Sequence, residues 1–181
     1  MPSSLALLWH RGRMPINQSF LGELSQELAT TRKVLSRVPD EKLGWKPHEK
    51  SMTLGQLASH VAEMHNWGVV TLTTAELDLA PVDGPKLEAF KGRTAAEILA
   101  RFEESALHLQ SVLAEATDDA AWMMPWSLKM AGQTMFTLPR VAVMRGMICN
   151  HIVHHRAQLS VYLRMLDVPV PSMYGPSADE K

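Results

Sequence analysis

A chain of 181 residues with 46% hydrophobic and 20% charged residues can bury a full core, which predicts a single globular domain. Its formal net charge of −1 argues against a strongly basic binding face, so we expect neither nucleic acid nor a membrane as a partner. Its one cysteine, Cys149, excludes an intrachain disulfide, and no apolar run approaches the roughly 18 residues that span a bilayer. These features favour a cytoplasmic protein in a reducing compartment.

The first half of the chain predicts an N-terminal arm followed by two helices. Residues 1–14 are expected to form the arm. Apolar residues that recur with the period of a helix predict a first helix over about 17–38. The same pattern predicts a second helix over about 54–77, and Ser51 or Thr53 can serve as its N-cap.

A connecting loop and a third helix are expected next. Residues 78–92 contain two prolines and two glycines, which is typical of a loop. Thr94 is followed three residues later by Glu97, the spacing of a capping box, so the third helix is expected to begin there. Its apolar positions continue to about Leu113.

The last third of the chain predicts an extended excursion, a fourth helix and a tail. Residues 122–139 break the helical pattern around Gly132, which favours a hairpin or extended excursion. The fourth helix is expected from 140 to about 166, and prolines and glycine predict an irregular C-terminal tail over 169–181. The expected fold is therefore all-α, an up-down four-helix bundle over 15–168 with a hairpin excursion before the last helix.

Histidines near the end of the fourth helix carry the strongest chemical signal. His151 and His155 are four residues apart, so both rings lie on one face of a helix, about one turn apart. That face should be buried, and a buried imidazole without a partner costs about 1–3 kcal/mol, which a bound metal would offset. On the second helix, His60 projects with Met64 and Trp67 and would complete a three-imidazole metal site.

Other roles for these residues stay open at this level. A lone inward histidine such as His60 is usually a hydrogen-bonded core residue. His154 could replace one of the paired histidines, because residues three apart are also neighbours on a helix. Cys149 lies about 160° around the helix from His151 and is not expected to ligate. Gln158 and Tyr162 share the histidine face, and Met64 and Trp67 lie beside His60 on the second helix. These four residues could orient a ligand ring or line a substrate site.

These motifs resemble the DinB/YfiT-like family of bacterial four-helix-bundle proteins, which are described as metal-dependent enzymes. The most specific motif is Asn-His-Ile-Val-His-His-Arg at 150–156. The resemblance implies three metal ligands, here His60, His151 and His155, and frequent homodimers. Glycine often follows the arginine of this motif in the family, whereas this chain has alanine. The resemblance covers nearly everything from residue 15 onwards, and the segments that carry it are 45–47, 51–60, 125–140, 150–164, 168–171 and 174–180.

The resemblance implies thiol-dependent transfer or isomerisation, sometimes with low-molecular-weight thiols, or hydrolysis, and it links members to the response to damage or stress. Three imidazoles leave coordination positions open for water or substrate, and zinc, nickel and iron all suit nitrogen ligands. We therefore expect a divalent-metal-dependent enzyme acting on a small molecule, of the thiol-dependent transferase or hydrolase type. The alternatives are a non-catalytic metal-binding stress-response bundle and a helical interaction protein whose histidines bind nothing.

Two charged residues could assist such chemistry. Hydrolysis requires a general base, and Glu63 lies about 60° from His60 around the second helix. Thiol transfer requires a basic anchor, for which Arg156 is a candidate, although it points about 140° away from His151. An ion pair between helices or between two copies of the chain is the other role for Arg156.

Overall fold

The computed structural model describes residues 14–180, so residues 1–13 of the predicted N-terminal arm lie outside the described part. The chain is mostly helical, as expected, and it also contains a small sheet. The helices are α1 (Ile16–Leu35), α2 (Leu54–Thr73), α3 (Ala95–Glu115), the short α4 (Asp119–Trp122), α5 (Arg140–Val143) and α6 (His151–Met165), with a π-helical segment (Met144–Asn150) joining the last two and a 3₁₀ turn at Asp40–Lys42. The strands are β1 (Glu76–Asp78), β2 (Pro125–Met130) and β3 (Gln133–Pro139).

One apolar core lies between the long helices. Each contributes fully buried side chains, for example Leu24 from α1, Leu57 from α2, Leu109 from α3 and Leu159 from α6. Burying one such side chain contributes about 1.5–3 kcal/mol, so this shared core holds α2 and α6 side by side. Among residues 14–180, no helix combines the length and apolar content needed to span a bilayer.

The sheet corrects two predictions, the all-α fold and the end of the second helix. The strand order is β1-β2-β3, with β1 parallel to β2 and β2 antiparallel to β3. The second helix was predicted to continue to about Leu77, but it ends at Thr73 because Thr74 adopts an extended backbone. The residues after Thr74 pair with β2 instead, since Glu76, Leu77 and Asp78 lie opposite Ser127, Leu128 and Lys129.

The predicted hairpin is present as β2 and β3. Its two central turn residues, Ala131 and Gly132, have φ of 50° and 77°, the left-handed values that a tight hairpin turn requires. One face of the hairpin is anchored to the helices, since Trp126 and Leu128 are buried with Val143. The strands therefore cover one end of α2 and α5.

The helix N-termini follow the predicted capping chemistry. Thr53, rather than Ser51, caps α2 through a complete capping box with Gln56. Thr94 caps α3 by accepting the Glu97 backbone N–H at 3.1 Å. The first helix was predicted to reach about Val38, but it ends at Leu35. After it, the backbone N–H groups of Arg37 and Val38 donate to carbonyls three residues earlier, so the chain continues in tighter turns.

The π-helical segment immediately before α6 was not predicted. Residues Met144–Asn150 form the wider helical turn, and His151 follows directly. Such segments occur frequently at functional sites. Their wider turn changes the rotation of every later side chain around the helix axis, relative to a regular α-helix. The direction in which His151 and His155 project therefore depends on this local geometry.

The stability of the fold should depend on pH through His65, a core histidine on α2 that is 1% exposed. Burial lowers its pKa from 6.5 to about 4, and a hydrogen bond to the Ala62 backbone partly opposes that shift. As the pH falls, His65 is therefore protonated in the unfolded chain at a higher pH than in the folded protein. The His65 contribution is fully present above pH 6.5, and we expect about 3 kcal/mol to be lost as the pH falls towards 4.

Urea unfolding of the wild type and of His65→Gln between pH 7.5 and 4 measures this contribution. The difference between the two curves isolates His65, because the remaining histidines titrate in both proteins. Curves with the same slope against pH would show that His65 is protonated normally in the folded state.

Candidate metal centre

Three imidazoles from two helices meet in the structure. His60 comes from the middle of α2, whereas His151 and His155 occupy successive turns of α6. One ring nitrogen from each residue lies within 4.8 Å of the other two, a grouping that could hold a metal ion. The structure thus brings together the three residues selected from the sequence, and their ligand set is nitrogen only.

Hydrogen bonds fix which nitrogen of each α6 ring faces the centre. Nδ1 of His155 lies 2.8 Å from Oε1 of Gln158, an acceptor, so Nδ1 carries the proton. His151 makes its hydrogen bond to the backbone of Met147. Since its Nε2 faces His155, its Nδ1 is the donor, and both Nε2 atoms are left with lone pairs directed to the centre.

The two Nε2 atoms lie only 2.7 Å apart. Two lone pairs at this distance repel each other unless a cation or a shared proton lies between them. A divalent metal would satisfy both nitrogens and would also accept the lone pair of His60. The residues present therefore fit a bound metal, and His60, His151 and His155 are the ones that would hold it.

The local environment keeps the His60 ring neutral at neutral pH. Burial, together with the proximity of His155 and His151, lowers the pKa of His60 from 6.5 to about 4. Burial also lowers the pKa values of His151 and His155, and the Gln158 hydrogen bond partly opposes this for His155. Neutral imidazole is the form that binds metal.

Of the four residues predicted to surround the site, two lie beside it. Gln158 contacts His155 directly, and Trp67 lines the cavity that begins at His60. Met64 is 1% exposed and packs in the core. The Tyr162 hydroxyl donates to the Met52 carbonyl (3.3 Å), so it holds the loop before α2.

The remaining candidates lie apart from the three-imidazole group. His154 is exposed, although its ring centroid lies 4.9 Å from that of His155. Cys149 is buried beside α1 rather than at the centre, and burial raises its pKa to about 11. Arg156 is buried and pairs with Glu27 of α1 at 2.6 Å, so it forms an ion pair between helices.

A cavity of about 370 Å³ opens from His60 between α2, α3 and the segment 77–89. Of the residues in its wall, only His60, Glu63 and Trp67 were predicted to lie near the site. Arg101 was not predicted, because nothing in the sequence distinguishes it from a solvated arginine on an amphipathic helix. Only the packing of α3 against α2 turns this side chain to the cavity, whose other lining residues are Asn66, Val70, Leu77, Leu79, Leu87, Glu88 and Ala89.

Known proteins resemble this chain in sequence and in fold. A family model described as the DinB superfamily matches residues 23–159. The uncharacterized protein YrdA of Bacillus subtilis (strain 168) is 28% identical over 163 residues, which cover 89% of each chain.

Two crystal structures share the fold. A DinB-like protein from Bacillus cereus ATCC 10987 superposes with a TM-score of 0.65 at 22% identity, over 86% of this chain and 95% of the other. YjoA, a DinB-like protein from Bacillus subtilis, superposes with a TM-score of 0.64 at 14% identity, over 87% of this chain and 99% of the other. At these identities the likeness concerns the fold alone.

Proposed function

The chain belongs to the DinB superfamily, and from that premise we propose that it is a divalent-metal-dependent enzyme acting on a small molecule, of the thiol-dependent transferase type. The observation that carries the proposal is the meeting of three neutral imidazoles, one of which, His60, also lines a cavity of about 370 Å³. Three protein ligands leave coordination positions open for a reactant, which separates a catalytic centre from a closed structural one.

The donor set favours zinc, nickel or iron as the metal, since imidazole nitrogen suits all three. When bound, the metal would supply Lewis acidity and lower the pKa of a thiol or water that it binds. The chain holds the ligand rings in place: Gln158 orients His155, and the Met147 backbone orients His151. The apolar side chain of Trp67 forms part of the cavity wall that His60 also lines.

A hydrolase is the second candidate, and Glu63 is the observation that favours it. Its carboxylate lines the same cavity as His60. One oxygen, Oε2, accepts the backbone N–H of Phe90 at 2.9 Å, which leaves Oε1 to take a proton from water. Glu63→Gln should then abolish hydrolysis and leave thiol transfer largely intact.

Metal-loaded protein, purified without a histidine tag, tests the proposed reaction. Glutathione or L-cysteine is supplied with 1-chloro-2,4-dinitrobenzene. In this reaction the C–S bond forms, the C–Cl bond breaks, chloride leaves and the thiol proton passes to solvent. We expect turnover above the uncatalysed rate, its loss in His60→Ala and its retention in His154→Ala.

Ester and amide substrates, assayed in parallel, separate the two enzyme classes. Turnover of esters or amides without thiol transfer would contradict the transferase and support the hydrolase. Absence of turnover in every assay with fully metal-loaded protein would contradict both enzymatic functions and favour a non-catalytic metal-binding stress-response protein.

Gln158→Ala is expected to weaken zinc binding by about 10- to 100-fold, because loss of a partner behind a ligand typically has that effect. Without the Oε1 acceptor, the His155 ring is free to rotate and to change tautomer. Competition with a chromogenic chelator measures the affinity. Gln158→Glu, which keeps an acceptor at this position, is the matched control and should retain tight binding; equal weakening in both variants would contradict the orienting role.

A further inference from the structure

We propose that the cavity beside His60 binds small apolar carboxylic acids and that Arg101 is the residue that binds their carboxylate. This inference rests on the proposed function and deepens it, because it assigns a substrate class to the cavity that the candidate ligand His60 lines. The proposal depends on one cationic side chain in a cavity whose other walls are mostly apolar.

Arg101 has hydrogen-bonding capacity that the protein does not use. Within the described part of the chain, its Nε is buried without a partner. Among residues 14–180, its one hydrogen bond runs from Nη1 to Oε2 of Glu104 at 3.0 Å, and that carboxylate is mostly exposed. A buried donor left unpaired is unfavourable, whereas a carboxylate can accept two parallel bonds from one guanidinium.

The guanidinium is also held in place on one side. Its central carbon lies 5.6 Å from the centre of the Phe90 ring, within the range of a cation–π contact. Phe90 is itself fixed, since its backbone N–H donates to Glu63 and the nearby Gly92 N–H donates to Ser59 (3.0 Å). The cation is therefore positioned before any ligand arrives, which reduces the entropic cost of binding.

The rest of the cavity suits an apolar body. Its volume of about 370 Å³ falls in the range of small-molecule sites, roughly 300–1,000 Å³. Apolar side chains from α2, from β1 and from the loop that follows β1 form most of the wall: Trp67, Val70, Leu77, Leu79 and Leu87. A molecule with a carboxylate at one end and a hydrocarbon segment between it and His60 matches this distribution.

Two carboxylates in the wall oppose an anion, and their effects can be separated. Glu88 is exposed, so solvent screens its charge. Glu63 is half-buried and fixed by the Phe90 N–H. The Glu63 carboxylate therefore repels a carboxylate bound in the cavity. The neutral substitution Glu63→Gln should strengthen carboxylate binding, whereas removal of Arg101 should weaken it.

Two probes of nearly the same shape test the proposal. Calorimetry compares 4-phenylbutanoate with the neutral 4-phenylbutanamide, both on metal-free and on zinc-loaded protein. We expect the acid to bind about tenfold more tightly, or better, as charge-assisted hydrogen bonds do. The preference should be present in metal-free protein, because Arg101 is not one of the candidate ligands.

Arg101→Gln should remove the preference, and Arg101→Lys should keep part of it, since lysine retains the charge without the planar fork. Arg32→Gln is the matched control, because Arg32 is an exposed arginine that also pairs with a glutamate of α3 (Glu103). It should leave the preference unchanged. Thermal unfolding of each metal-free variant verifies that the fold is retained.

The outcomes separate this inference from the proposed function. A preference that appears only with zinc and survives Arg101→Gln would overturn the inference, since the acid would then bind at the metal centre. Absence of binding by either probe would overturn it as well. An Arg101-dependent preference in a protein that binds no zinc would support the inference while the proposed function fails.

Discussion

His155→Ala is expected to weaken zinc binding by more than about 100-fold, beyond what the loss of a partner behind a ligand typically costs. The substitution removes one of three nitrogen donors and the only one held by Gln158. Zinc at 100 times its dissociation constant should stabilise the wild type by about 2.7 kcal/mol, and it should leave the stability of the variant nearly unchanged. Chelator competition and thermal unfolding with and without zinc measure the two effects.

His154→Ala is the matched control for this prediction. It removes the next imidazole along the chain, which is exposed and lies outside the three-imidazole group. Metal stoichiometry and affinity should match the wild type. If His155→Ala and His154→Ala bound zinc equally well, the proposed metal centre would be wrong.

Arg156→Met is expected to lower the free energy of unfolding by about 3–5 kcal/mol, as loss of one partner from a buried ion pair does. Arg156 is 1% exposed and its Nη2 lies 2.6 Å from Oε2 of Glu27, which is itself 18% exposed. Nη1 also donates to the Glu27 carbonyl (3.1 Å) and to Thr31 Oγ1 (3.0 Å). Tyr174 from the C-terminal segment donates to the same Glu27 carboxylate at 2.8 Å.

These contacts connect α6, α1 and the C-terminal segment. Loss of the Arg156 side chain should therefore also make the C-terminal segment more accessible to solvent. Urea unfolding measures the first effect, and amide exchange of residues 170–180 measures the second. The paired variant Arg156→Met/Glu27→Met should recover most of the lost stability, because replacing both partners of a buried pair by apolar residues is often neutral. Arg32→Met removes one partner of an exposed pair and should cost less than about 1 kcal/mol. A loss of that size in Arg156→Met would contradict the anchoring role.

Local signals in the sequence were accurate where the chemistry is local. Thr53 and Thr94 cap helices through side-chain bonds to residues three positions away, which a linear pattern can reveal. The hairpin around Gly132 was predicted for the same reason, since its turn requires left-handed backbone. Strand β1 was missed because it forms only by pairing with β2, about fifty residues later.

The sequence by itself determined the helical character of the chain and the pairing of His151 with His155, because both depend on a repeat of about 3.6 residues per turn. It also supplied His60 as a candidate partner. Only the tertiary structure decided that ring nitrogens from all three residues lie within 4.8 Å, and that Arg101 faces the same cavity. Which helices become neighbours, and at what rotation, follows from the packing of the whole core and from the π-helical turn before His151. The sequence pattern specifies neither which helices become neighbours nor how each is rotated about its axis.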